Sequence, residues 1–334
     1  MSNNDKKRIL TGDRPTGKLH LGHYVGSLKN RVKLQNQYET FLIIADVQAL
    51  TTNFETPEKI SEDVRQVAKD YLAVGIDPEK TTILIQSMIP EIAELTVYYS
   101  MIVTVNQLKR NPTIKSESEQ YGYEDMSYGF LGYPVSQAAD ITFCKADLVP
   151  VGEDQLPHIE QTRHIVRKFN NLYGEVFPEP EALVGDFPRL SGIDGKNKMS
   201  KSLNNAIFLS DSAETVEEKI NKTVTDPARI KIDDPGHPEV CTVFEYHEAF
   251  NSENADEIEK KCRAGEIGCV ACKNRLTKKL NELLDPMRER RAKYEENPEL
   301  VDEILYSGTK KARKIAKETM KETKETMNLD YFSK

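Results

Sequence analysis

Arg8-Ile9-Leu10-Thr11-Gly12-Asp13-Arg14-Pro15-Thr16-Gly17-Lys18-Leu19-His20-Leu21-Gly22-His23 holds three structural signals in one run. Residues 8–11 form a short apolar start that Gly12 breaks, a Gly- and Pro-bearing loop follows, and from about residue 22 to 38 Val25, Leu28 and Val32 share one helical face. Further along, residues 41–45 are too apolar to be half exposed, which fits a parallel strand covered on both sides. Residues 57–74 read as a helix, with Thr56 placed to cap it, Pro57 in its first turn and Gly75 at its end. Residues 82–85 form another buried-strand candidate. The order β-α-β-α-β is the first half of a doubly wound parallel sheet.

The expected class is therefore α/β, Rossmann-like, and 334 residues leave room for a second domain at roughly 150 residues each. Residues 91–105 read as helical and residues 111–132 as a loop-dominated insertion. Residues 138–143 and 156–173 read as helical again, and 178–195 as loop. After residue 210 the chain is charged and helical, with long amphipathic stretches at 270–294 and 298–327. The expected division is a catalytic domain over 1–205, with a helical insertion at about 91–180, and an all-α domain over 206–334.

Apolar residues make up 38% of the chain and charged residues 30%, enough for a core and against disorder. The longest apolar stretches, 41–50 and 81–90, fall far short of the ~20 residues that span a bilayer. With a polar start and no apolar leader segment, the expected location is the cytoplasm. A net charge of −8 argues against blanket binding to nucleic acid but allows a local basic surface.

Two constellations carry the chemistry. The first is Pro15 to His23, between the first strand and first helix. In a doubly wound sheet this turn delivers His20, His23 and Gly22 to a ligand at the carboxyl ends of the strands, a place suited to phosphate. Capping or core histidines, or a metal pair lacking a third ligand, are the alternatives. The second is Lys198-Met199-Ser200-Lys201-Ser202, preceded by Asp194-Gly195-Lys196-Asn197. Two lysines among small hydroxyl residues can close on a triphosphate as mobile charges, although such runs are commonly just solvated loops.

Together, in this order, the two motifs resemble the signatures of class I aminoacyl-tRNA synthetases. Tyr133-Pro134-Val135-Ser136-Gln137-Ala138-Ala139-Asp140 and Val149-Pro150-Val151-Gly152-Glu153-Asp154-Gln155 are similar to the amino-acid and ribose segments of the bacterial tryptophanyl-tRNA synthetase family, and the resemblance covers essentially the whole chain. It implies ATP-dependent ligation of L-tryptophan to tRNA(Trp) through an adenylate, with ATP and Mg2+ and a homodimer whose interface includes the insertion. Asp140 matches the acceptor of the indole N–H, and Gln137 lies in the same pocket. Tyr133 and Gln155 match the holders of the ammonium and carboxylate. Arg14, Pro15, Thr16, Gly22 and His23 match the ATP stretch, with Gly152, Glu153 and Asp154 at the ribose and Leu190 at the adenine. His20, His23, Lys198 and Lys201 would stabilise phosphate charge, beside Met199, Ser200 and Ser202. Arg14, Gln48 and Gln137 stand where Gln, His and Met are frequent in the family, which marks a divergent subgroup. The tyrosine-specific sister enzymes are the nearest rival in specificity.

Cys241, Cys262, Cys269 and Cys272 follow a Cys-x20-Cys-x6-Cys-x2-Cys pattern. Four thiolates can close a zinc site or hold a four-iron cluster, and in the cytosol a metal is favoured over disulfides. Zinc usually has two tight pairs, whereas the x6, x2 spacing resembles the [4Fe-4S] site in the C-terminal domain of some tryptophanyl-tRNA synthetases. Zn2+ and unligated core cysteines remain the alternatives. Lys261, Arg263, Lys273, Arg275 and Lys278 surround the cluster and suit an RNA backbone.

Overall fold

The computed structural model describes residues 6–152, 155–184 and 190–332. Its centre is a parallel sheet of β1 (Arg8–Asp13), β2 (Glu39–Ile44), β3 (Thr81–Ile85), β4 (Leu148–Val151) and β5 (Glu181–Val184) in the order β3-β2-β1-β4-β5. This is the doubly wound arrangement, whose strand order reverses beside β1. Register is set at the middle, with Leu10 opposite Phe41 and Phe41 opposite Thr82. Alternate residues of β2 feed two cores: Phe41 and Ile43 pack on one face, Leu42 and Ile44 on the other, so each side must be covered by helices.

Helices in chain order are α1 (Leu21–His23), α2 (Lys29–Leu34), α3 (Asp46–Asn53), α4 (Pro57–Val74), α5 (Pro90–Ser100), α6 (Val105–Lys109), α7 (Pro112–Tyr121), α8 (Tyr128–Thr142) and α9 (Leu156–Tyr173). The series continues with α10 (Ala213–Lys222), α11 (Thr242–Phe250), α12 (Ser252–Arg263), α13 (Cys269–Glu296) and α14 (Pro298–Thr326). A π-helical turn, Tyr24–Leu28, joins α1 to α2, and the helical path ends at Leu34, short of the expected residue 38. Pro57 and Gly75, the latter at φ 104°, bound α4 as expected, but the Thr56 side chain makes no capping hydrogen bond.

Three expectations fail locally. The run 111–132 is mostly helix. Asn111 accepts the Thr113 N–H at 2.9 Å, Pro112 sits in the first turn, Gly122 ends α7 at φ 67°, and Ser127 caps α8 at Phe130. Residues 178–195 contain β5, a half-exposed edge strand whose four residues are too few to register as an apolar run. The stretch 91–180 is not wholly helical, because β4 lies within it and returns the chain to the sheet beside β1.

The helices after residue 205 do not stand apart from the sheet. Leu276, Leu280 and Leu284 of α13, and Val301 and Leu305 of α14, share one buried core with Leu42, Ile44, Val64 and Val67. Full burial of each such side chain stabilises the fold by about 1.5–3 kcal/mol. Gly308 lets α14 lie against β3: a Cβ there would stand 2.0 Å from the Ile83 carbonyl oxygen. Among the described residues no helix is long and apolar enough to cross a membrane.

Candidate active site

The loop after β1 and the segment after the lysine motif are stitched together by backbone. Leu21 N–H donates to the Ile207 carbonyl at 2.9 Å, and Leu209 N–H to the Leu19 carbonyl at 3.0 Å, so that His20 bridges to Phe208. Lys201 Nζ then reaches the Gly17 carbonyl at 2.7 Å, 184 residues away in the chain. The two motifs form one site.

The lysine loop is a hairpin-like turn. Ser191 pairs with Lys198, Gly195 takes φ 66° at the bend, and Met199 N–H donates to the Leu190 carbonyl at 2.9 Å. Asn205 holds the loop from inside, accepting the Ser200 N–H at 2.8 Å and donating to Asp194 and the Lys198 carbonyl. Gly192 is required by this contact, since a Cβ there would meet the Asn205 amide at 2.1 Å. Met199 and Leu190 are buried and anchor the loop in the core, while Lys198 and Ser202 are exposed; Ser200 and Ser202 share a hydroxyl hydrogen bond of 3.0 Å.

His20 is buried, with its ring centroid 3.8 Å from that of His23 and its Nδ1 without a partner. His23 Nδ1 accepts the His20 backbone N–H at 3.3 Å, so the neutral ring carries its proton on Nε2. Burial, then the neighbouring His23 and the cations Lys201 and Lys198, pull the His20 pKa down to about 2. Burial likewise lowers His23 to about 4, against the pull of Asp13. Both imidazoles are therefore neutral N–H donors at neutral pH. Gly22 makes room for this pair: a Cβ would stand 3.0 Å from the His20 ring and 3.5 Å from Met199 Cβ. Pro15 is buried, Thr16 is exposed, and Thr16 N–H turns back to the Arg14 carbonyl at 2.9 Å.

Beside this loop, a cavity of about 330 Å³ opens at the carboxyl ends of β1, β2 and β4. Its walls include Arg14, Gln48, Tyr133, Gln137, Asp140, Gly152 and Gln155, so the residues expected to hold an amino acid converge there, together with Arg14 and Gln48. Glu153 and Asp154 lie outside the described residues. Asp140 is buried and receives the Gln86 amide at 2.8 Å on both oxygens; burial, against this hydrogen bond, raises its pKa to about 7. Tyr133 OH lies 3.1 Å from His158 Nε2, and Arg14 is 3.7 Å from the Glu117 carboxylate.

Several of these groups were not legible as site residues. Gln86 follows β3 directly, where a doubly wound sheet meets its ligands, and that position was the available signal. Glu117 and His158 enter from α7 and α9 and carry no local signature. Beneath the site, Asp13 at the end of β1 receives Arg31 Nη1 at 2.5 Å and Tyr71 OH at 2.7 Å. Burial raises its pKa, but the Arg31 charge, with His23 and these hydrogen bonds, outweighs burial and holds the carboxyl well below its usual range.

Cys241, Cys262, Cys269 and Cys272 converge between α11, α12 and the start of α13. Burial and the other three cysteines push the Cys272 thiol up to about 12. Arg229 Nη1 lies 3.8 Å from Cys262 Sγ, and His247 Nε2 lies 3.4 Å from Cys272 Sγ. Among the described residues, no set of three or more His, Cys, Asp or Glu side chains is arranged to hold a metal ion.

Comparison with known proteins identifies this arrangement. The family model described as tRNA synthetases class I (W and Y) matches residues 2–285. A tryptophan–tRNA ligase of Clostridium longisporum is 53% identical over 336 residues, covering 98% of each chain. That of Thermotoga maritima is 50% identical, covering 96% of this chain and 99% of its own. A crystal structure of the Campylobacter jejuni tryptophanyl-tRNA synthetase, complexed with ADP and tryptophan, superposes with a TM-score of 0.86 at 34% identity, over 96% of this chain and all of that one. With the two motifs joined over the carboxyl end of the sheet and a family model matched across most of its length, the chain belongs to the class I tRNA synthetases of the W and Y type.

Proposed function

We propose that the chain activates L-tryptophan with ATP and transfers it from the adenylate to the 2′-hydroxyl of the terminal adenosine of tRNA(Trp). The observation that carries this reading is the junction of the His20–His23 loop with the Lys198–Lys201 loop beside a cavity whose floor is a buried carboxylate, Asp140. The tryptophan carboxylate attacks the α-phosphorus in line and pyrophosphate leaves. The chain supplies position and charge rather than a covalent nucleophile. His20 and His23 donate N–H groups to phosphate oxygens, and Lys198 and Lys201 neutralise the charge that builds on the leaving pyrophosphate. A Mg2+ ion bound with the nucleotide would add to the charge neutralisation that Lys198 and Lys201 supply.

Asp140 sets specificity. An indole N–H adds a second donor to a carboxylate that the Gln86 amide already serves, whereas phenylalanine brings none. Tyr133 and Gln155 face the ammonium and carboxylate, with Gln137 and Gln48 shaping the pocket. Arg14, Pro15, Thr16 and Gly22 line the nucleotide path. Gly152, Glu153 and Asp154 take the ribose. Leu190, buried and accepting the Met199 N–H, is assigned to the adenine end.

The four cysteines are assigned to a [4Fe-4S] cluster that fastens the helical part, with Zn2+ as the alternative. The support is their spacing in the sequence. A cluster there would be structural. Lys273 and Lys278, with Lys261, Arg263 and Arg275, which are ion-paired to Glu257, Glu259 and Glu239, are the basic residues we assign to RNA within 206–334, the segment we assign to anticodon reading. Exposed Val97, Met101, Val105 and Leu172, all within 91–180, are the apolar surface we assign to a homodimer interface. The cytoplasm, where tRNA is charged, is the location that fits this work.

Two measurements test the reading. Labelled tryptophan should be esterified to a tRNA(Trp) transcript only when ATP is present, and failure to charge it would refute the function. Anaerobically purified protein should absorb broadly near ~400 nm if iron–sulfur is bound, whereas colourless protein with stoichiometric zinc would select the alternative.

A further inference from the structure

Asp70 lies on α4 with its side chain fully buried, outside the walls of the substrate cavity. Its Oδ2 accepts the backbone N–H of Leu19 at 2.7 Å, and its Oδ1 is paired with Arg291 Nη1 of α13. Arg291 is almost as buried, and its remaining donors go to Gln66 Oε1 at 2.6 Å and Glu295 Oε1 at 2.7 Å. Leu19 immediately precedes His20, and its carbonyl is held from the opposite side by Leu209 N–H at 3.0 Å. Leu19, the residue before His20, is therefore held at both its N–H and its carbonyl, the N–H by one member of a buried ion pair.

Such a pair is a poor means of stabilising a fold, because two desolvated charges commonly give no more than well-packed apolar residues of the same volume. What an apolar pair could not do is hold an amide at a fixed point. Two neighbouring arginines of α13 make further ties to backbone: Arg290 Nε donates to the Ala73 carbonyl of α4 at 2.7 Å, and Arg288 Nε to the Asp211 carbonyl at 2.8 Å, just beyond the segment that pairs with Leu19. We propose that Asp70 and Arg291 form a positioning pair for the nucleotide step, fixing the Leu19 peptide so that His20 and the Lys201 contact at Gly17 meet the triphosphate in register. This rests on the assignment of residues 14–23 as the triphosphate loop.

Asp70→Asn tests it directly. The isosteric amide has one acceptor head and one donor head, so it cannot receive both Leu19 N–H and Arg291. In tryptophan-dependent ATP–pyrophosphate exchange, Asp70→Asn and Arg291→Met should each raise KM for ATP about tenfold while KM for tryptophan moves less than about twofold. Arg291→Lys, which keeps the cation, should recover most of the ATP KM. If Asp70→Asn does not fold, the comparison of Arg291→Lys with Arg291→Met carries the test alone. A fall in Tm with both KM values unchanged, or an equal rise in both, would overturn the proposal and leave the pair as scaffold. His20→Ala and His23→Ala run in the same assay separate the two readings. If these also leave exchange at the wild-type rate, the loop assignment itself is wrong.

Discussion

Lys201 Nζ donates to the Gly17 carbonyl at 2.7 Å, a side-chain contact that joins the lysine loop to the histidine loop beside the backbone pairing of residues 19–21 with 207–209. A contact with a carbonyl can be exchanged for a phosphate oxygen with little rearrangement, which suits a mobile charge that must follow the pyrophosphate. Lys201→Ala should lower the exchange kcat by roughly 10²-fold or more, the size expected when one preorganised charge on a developing anion is lost. Single-turnover formation of the adenylate measures it. An unchanged rate would remove Lys201 from the mechanism.

Asp140 gives the site a pH signature. Burial holds its pKa near 7 in the free enzyme, against the pull of the Gln86 amide, so the carboxyl takes up a proton as pH falls through neutrality. A protonated Asp140 is the poorer acceptor for an indole N–H. KM for tryptophan should therefore rise by about tenfold between pH 8 and pH 6, as the ionised fraction falls. Asp140→Asn should bind weakly at every pH and lose this dependence. A flat profile in the wild-type protein would show that the carboxylate does not recognise tryptophan.

His23 behaves differently, because its pKa, near 4, lies below the working range. It donates as a neutral ring. His23→Asn, which keeps an N–H donor, should retain more activity than His23→Ala, and neither should introduce an acid limb between pH 6 and 8. Measuring kcat/KM for ATP across that range checks both points.

The first three strands of the sheet were legible and β4 and β5 were not: residues 41–45 and 82–85 are apolar on both faces and sit between well-bounded helices, whereas β4 and β5 are four residues each. The α7 and α8 region was not. Gly129, Gly132 and Pro134 lie within α8, and local propensity there argues against the helix that packing on α5 and α9 imposes. The two signature motifs were readable as residue types, but their meeting depends on backbone pairing between residues 19–21 and 207–209, which leaves no trace in composition. Asp140 could be found by resemblance. Its partner Gln86, on a turn after another strand, could be found only by placing β3.

Gly308 offers a test of how the helical part is joined to the sheet. With a Cβ 2.0 Å from the Ile83 carbonyl oxygen, Gly308→Ala must push α14 off β3 or displace the strand. Overpacking of this kind costs roughly 1–3 kcal/mol, more where backbone blocks the relief. Urea denaturation should show a lower midpoint, with the loss largest for a bulkier residue such as Val. A midpoint equal to wild type would mean that α14 is not seated on β3 as described.

The most direct measurement is amino-acid-dependent ATP–pyrophosphate exchange with the wild-type protein, comparing tryptophan, tyrosine and phenylalanine at equal concentration. The account predicts exchange with tryptophan and only background with the other two, because it assigns Asp140 as the acceptor of an indole N–H. Exchange supported by tyrosine in preference to tryptophan, or by no amino acid at all, would contradict it.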